Sequence, residues 1–173
     1  MAKKAKKQKI SIVGIAIVAV IAVCAILAIV GVCIDEWTTT ESLAGLKGNT
    51  SFSDYIELAE KERDVQGGIS DIIGSKVEND SLLQPMVAFG LIAVVAAGVL
   101  LVLAVLGLFM KGGLFRTLVG IMGFVTLAAG IISIAITASF CGDFLILGAG
   151  AILTAVGAMG AGLAGAARMF IKK

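Results

Sequence analysis

The chain is 173 residues long, 59% hydrophobic and 15% charged, with a net charge of +2 and a mean hydropathy of +1.07. Soluble domains are about half apolar and about a quarter charged, so this composition excludes a soluble globule. Histidine is absent, which removes the commonest general base and the commonest metal ligand.

In chain order, residues 1–9 form a basic tail with five lysines, and 10–34 then run without a charge. That first run follows lysines as a signal peptide would. It outlasts the roughly 7–15 apolar residues of such a segment and reads as a retained anchor. An acidic segment, 35–85, comes next. Further uncharged runs cover 86–110, 117–141 and 144–167, separated by the basic turn 111–116 and the short turn 142–143. The chain closes on the basic tail 168–173. Each run reaches the roughly 20 residues that cross a hydrocarbon core of about 30 Å, which predicts four transmembrane helices. The basic residues number five in the N-terminal tail, two in the 111–116 turn and three in the C-terminal tail, whereas 35–85 holds eleven acids and four bases. The positive-inside rule then places both termini in the cytoplasm and 35–85 outside the plasma membrane.

Within the outer segment, Trp37 to Asn49 is rich in Thr, Ser and Gly and reads as extended or turn structure. Ser53 or Asp54 offers a helix cap, with Glu57 as its capping-box partner. Gly67-Gly68 breaks that helix, and Ile69, Ile72, Ile73 and Val77 follow the spacing of a second. The fold class expected is therefore an all-α membrane protein, a four-helix bundle carrying a small helical extracytoplasmic domain. Trp37, Phe52 and Tyr55 are the candidate partner contacts, since aromatic residues anchor interfaces; the bland alternative is that they seat the domain on the bundle. Glu57, Glu60, Glu62 and Asp64 lack the alternation and central Gly of a calcium loop and read as a solvated face, so neither metal nor cofactor is expected. Asn49-Thr-Ser51 and Asn79-Asp-Ser81 match the short glycosylation pattern. Cys33 and Cys141 fall at similar depth, so a disulfide is open to them if their Cα atoms approach within about 6 Å. Cys24 reads as a packing residue.

No span carries an ionisable group away from its ends, which argues against proton relays and ion-coupled transport. Span 4 is instead rich in small residues, among them Gly148, Gly150, Gly157, Ala161 and Gly165. Small residues let helix backbones approach, either inside one bundle or between copies in the membrane plane. In span 1, Ala16, Ala19, Ala22, Ala25, Ala28 and Gly31 recur at an interval of three, a stripe that winds round the helix.

Four spans with inside termini, a long first outer loop, a short second one and Trp37 just after span 1 resemble the claudin and peripheral-myelin-protein superfamily of tetraspan membrane proteins. Trp37 followed by Gly45-Leu46 is similar to that family's Trp…Gly-Leu-Trp motif, with Lys47 in the last place. Asp80-Ser-Leu-Leu83 is similar to the end of its first loop, while the family's paired loop cysteines have no counterpart. The resemblance implies lateral self-assembly, contact between membranes through the outer loop, and a small outer β-sheet at odds with the helical reading of 35–85.

The function expected is non-enzymatic, because the only acid outside the large loop is Asp143 and no histidine exists to pair with Cys33, Cys141 or a serine. Such a protein self-associates laterally and presents its outer domain for cell adhesion or partner binding. Its partners would be the lipid bilayer, further copies of itself and another membrane or extracytoplasmic protein, with no nucleic acid. An oligomeric channel or pore subunit lined by Thr126, Ser133, Thr137 and Thr154 is one alternative. An accessory or immunity-type membrane protein is the other.

Overall fold

The structure, a computed structural model, describes residues 12–41, 47–64, 80–109, 113–142 and 145–170. Four of its helices are long and apolar enough to cross a membrane: α1 (Ile12–Cys33), α3 (Leu83–Phe109), α4 (Gly113–Cys141) and α5 (Ala149–Phe170). The shortest has 22 residues, which at 1.5 Å per residue extends about 33 Å. Large apolar side chains such as Val23, Ile26, Val95, Val102, Phe124 and Val156 are exposed around the bundle. Water would penalise that surface and lipid does not. The chain is a multi-pass membrane protein.

Helix α5 lies at the centre of the packing, against α4, α1 and α3. Its small residues are what allow this. A Cβ placed on Gly157 would stand 2.5 Å from the Ala28 nitrogen and 2.6 Å from the Cys24 oxygen of α1. On the opposite side, a Cβ on Gly162 would stand 2.6 Å from the Leu127 nitrogen of α4. The two backbones flanking α5 are therefore in direct contact with it. The interval-three stripe of α1 divides as its winding requires: Ala16 and Ala19 are exposed, and Ala25, Ala28 and Gly31 are buried.

The all-α expectation needs correction, because both connections at one end of the bundle contribute to a three-stranded antiparallel sheet of order β2-β1-β3. Strand β1 is Thr38–Glu41, β2 is Lys47–Thr50 and β3 is Leu145–Leu147. Thr38 pairs with Thr50 on one side and with Leu147 on the other. The threonine run of β1 suits a strand, since β-branched side chains are stiff and pack well on a pleated surface. Strand β3 comes from residues expected to open the fourth span. A short apolar run fits a strand or a buried helix equally well, and periodicity does not separate them. Gly142, with φ at +51°, ends α4 in the left-handed conformation favoured at helix C-termini.

Helix α2 (Phe52–Asp64) starts earlier than a Ser53 or Asp54 cap implies. Ser51 is the cap: its Oγ accepts from the Asp54 amide at 3.2 Å, and its own amide donates to Asp54 Oδ2 at 2.9 Å. This is a reciprocal capping box with Asp54 in the place expected of Glu57. The Ser51 hydrogen bonds hold the Asp54 carboxyl below its ordinary value. The second expected helix, over Ile69 to Val77, and the Gly67-Gly68 break lie outside the described residues, as do Asp143 and Asn79. Span boundaries also move: α4 begins at Gly113, which puts Arg116 in its first turn, and α5 runs on past residue 167 to Phe170.

Candidate functional site

The sheet end is held to the bundle by one apolar cluster to which every part of this end contributes. Trp37 follows α1, Phe52 and Tyr55 stand three apart on α2, Leu83, Met86 and Val87 come from α3, Phe140 from α4 and Ala151 from α5. Trp37 and Phe52 rings are 4.4 Å apart and tilted by 50°. Tyr55 meets Phe140 edge-on at 5.5 Å, a geometry aromatic quadrupoles favour. The aromatic pair lies across Gly90 of α3, where a Cβ would stand 2.8 Å from Phe52 Cε2 and 3.6 Å from Trp37 Cζ2. Gly90 is thus a notch in α3 that admits the phenyl ring.

Polar contacts fix the same core. The Tyr55 and Thr38 hydroxyls are 2.6 Å apart in a buried hydrogen bond between α2 and β1. Burial pushes the Tyr55 hydroxyl above its ordinary value, with smaller pushes from Cys141 and Asp54, and hydrogen bonds with Thr38 and Thr50 oppose the rise. The Trp37 amide donates to Thr50 O at 2.9 Å, and its carbonyl accepts from Gly148 N at 2.9 Å. Gly150 N donates to Glu36 O at 2.9 Å, so residues 36–37 satisfy amides at the start of α5 that the helix itself cannot. The Trp37 indole Nε1 is buried with no hydrogen-bond partner.

Burial corrects the expected roles of the aromatic residues. Trp37 and Phe52 are 0% exposed and Tyr55 is 2% exposed, so in this arrangement none of them can meet a partner. They seat the sheet end on the bundle. Among the described residues, this end exposes the polar and acidic Asp35, Glu36, Asn49, Ser53, Asp54, Glu57 and Glu60, with Ile146 of β3 as an exposed apolar side chain. Asn49 Nδ2 donates to Glu36 Oε1 at 3.0 Å, tying β2 to the segment before β1.

The remaining sites of the sequence reading fall as follows. Gly148, Gly150, Gly157, Ala161 and Gly165 are all buried within the protomer, facing α1, α4, α3 or the segment before β1. They give no free face for a second copy. Cys33, Cys141 and Cys24 are free thiols, Cys33 exposed and Cys141 buried, and the disulfide left open to Cys33 and Cys141 is not formed. Thr126, Ser133, Thr137 and Thr154 are at most 2% exposed. Thr126 donates to Met122 O and Thr137 to Ser133 O, each within α4, and Thr154 donates across to Ala28 O of α1. These hydroxyls line no outward surface from which copies could build a pore. Among the described residues, no group of three or more Cys, Asp or Glu is placed to hold a metal ion.

Thr38, Gly90 and Phe140 complete the seat and were not singled out by the sequence. Thr38 had a signal, since it opens a β-branched run, which is strand-like. Gly90 and Phe140 had none, because each sits in an apolar run whose neighbours are equally plausible. Comparison with protein-family models, with curated proteins and with solved structures finds no significant match to this chain.

Proposed function

We propose that the chain is a non-enzymatic tetraspan of the plasma membrane, with both termini cytoplasmic, that holds a small rigid outer domain for binding another membrane or extracytoplasmic protein. The observation that carries this reading is the joint construction of the sheet end, in which both connections share one sheet over one buried aromatic seat. Such ordering of a connecting segment costs conformational entropy that a mere linker does not require. A sheet at this place, with Trp37 at its base, also supports the resemblance to the claudin and peripheral-myelin-protein superfamily. The orientation rests on ten basic residues in the two tails and the 111–116 turn, with no acid among them.

With the aromatic residues turned inward, the contact surface passes to the acidic face that includes Glu57 and Glu60 of α2. A partner with a basic surface suits it, and such contact weakens with added salt. Lateral self-association draws no support from α5, so the contact proposed is with a different protein. Crosslinking in host membranes tests the reading. Wild type should capture a partner at low salt, and E57Q/E60Q should lose most of that capture while keeping its fold. Equal capture by both proteins, or capture that ignores salt, contradicts it.

A further inference from the structure

The end of the bundle opposite the sheet gathers charge of one sign only. All twelve acids of the chain lie in 35–85 or at Asp143, so none is available to Arg116 or Arg168. Both arginines are half-buried. Arg168, in the last turn of α5, donates from Nη1 to Ala104 O of α3 at 2.9 Å. Arg116, in the first turn of α4, donates from Nη2 to Met169 O of α5, one residue beyond Arg168. The pair therefore links the ends of three helices at one level of the membrane.

Carbonyl contacts do not neutralise these guanidinium groups. The C-termini of α3 and α5 each offer about −0.5 of an elementary charge, and the N-terminus of α4 about +0.5, against two full positive charges. More than one unit of positive charge is left over. Each guanidinium has five N–H donors, and among the described residues the contacts above use one on each. A half-buried cation with spare donors and no carboxylate in reach among the described residues calls for an external anion with several acceptor oxygens. At the depth where the helices end, the anion at hand is the phosphate of a lipid headgroup.

We infer that Arg116 and Arg168 form a binding site for the phosphate of an anionic phospholipid in the leaflet at this end of the bundle. Residues 1–11 and 171–173, which lie outside the described residues, are not needed for it. The spare donors of the two forks supply the geometry, and the helix ends hold the forks in place.

Arginine footprinting on the wild-type protein tests the site without risk to the fold. The protein is reconstituted in phosphatidylcholine alone or with phosphatidylglycerol, treated with phenylglyoxal and read by peptide mass spectrometry. Charge-assisted hydrogen bonds of the usual strength predict about tenfold slower modification of Arg116 and Arg168 in phosphatidylglycerol, with Arg63 of α2 unchanged as the internal control. Equal rates in the two lipids overturn the inference. Equal protection of Arg63 overturns it too, by assigning the effect to general surface charge. The same protection from inorganic phosphate in phosphatidylcholine shows a free-phosphate site and overturns the lipid assignment. As a second readout, R116Q/R168Q should retain fewer phosphatidylglycerol molecules than wild type in native mass spectrometry, whereas equal retention by the folded variant counts against the site.

Discussion

Gly90 sets how closely α2 approaches the bundle. Its missing Cβ leaves room for the Phe52 ring, and a methyl there would stand 2.8 Å from Cε2. Phe52 is wholly buried between Trp37 and α3, so it has little freedom to retreat. Gly90→Ala should therefore destabilise the sheet end by about 1–3 kcal/mol, the usual cost of overpacking. Trp37 is the only tryptophan in the chain, so its fluorescence reports on this site alone. The variant should show greater acrylamide quenching than wild type, and unchanged quenching would place the ring elsewhere. Tyr55 makes a second prediction at this scale. Its hydroxyl titrates above the ordinary value in the folded protein. Stability drawn from the neutral hydroxyl is then complete below about pH 10, the unfolded value, and is lost as pH rises through the higher folded value. Thermal stability of the sheet end should be flat from neutral pH to about pH 9 with respect to this group and should fall above about pH 10. Tyr55→Phe should remove that part of the fall attributable to the phenol. The same loss in both proteins would mean that Tyr55 does not carry it.

At the scale of elements, α5 is the one on which the bundle depends. Its glycines bring it to backbone contact with α1 on one side and α4 on the other. Gly157→Leu must displace Ala28 and Cys24 of α1, and backbone has nowhere to yield. A loss of about 3 kcal/mol or more is expected, the upper part of the overpacking range, measured by unfolding in mixed micelles. A neutral result would show that this α5 face is open. The sequence disclosed these four helices because an uncharged run of twenty-odd residues has few other uses. It disclosed the start of α2 only to within a residue or two, since Ser51, Ser53 and Asp54 are all competent caps and the tertiary contacts of Phe52 choose among them. It did not disclose β3. Leu145, Ile146 and Leu147 join the apolar run of α5 without a break, and only pairing with β1, more than one hundred residues earlier, makes them a strand.

For the whole molecule, the division of labour between the two ends follows from where the charges sit. Among the described residues, one end holds Arg116 and Arg168 with no acid, and the other holds Asp35, Glu36, Asp54, Glu57 and Glu60 over a buried aromatic seat. The aromatic residues were legible as the notable side chains of an otherwise plain segment. Their direction was not, because a Trp, a Phe and a Tyr look alike in sequence whether they anchor a partner or their own domain. That the two connections form one unit over Trp37 is the claim on which the proposed function stands. Hydrogen–deuterium exchange in nanodiscs, comparing wild type with Trp37→Ala, measures it directly. In wild type, amides of β1, β2 and β3 should be protected, and in the variant all three strands should lose protection together while α1, α3, α4 and α5 keep theirs. Protection of β3 that survives the loss of Trp37, or strands that already exchange freely in the wild type, would contradict the account.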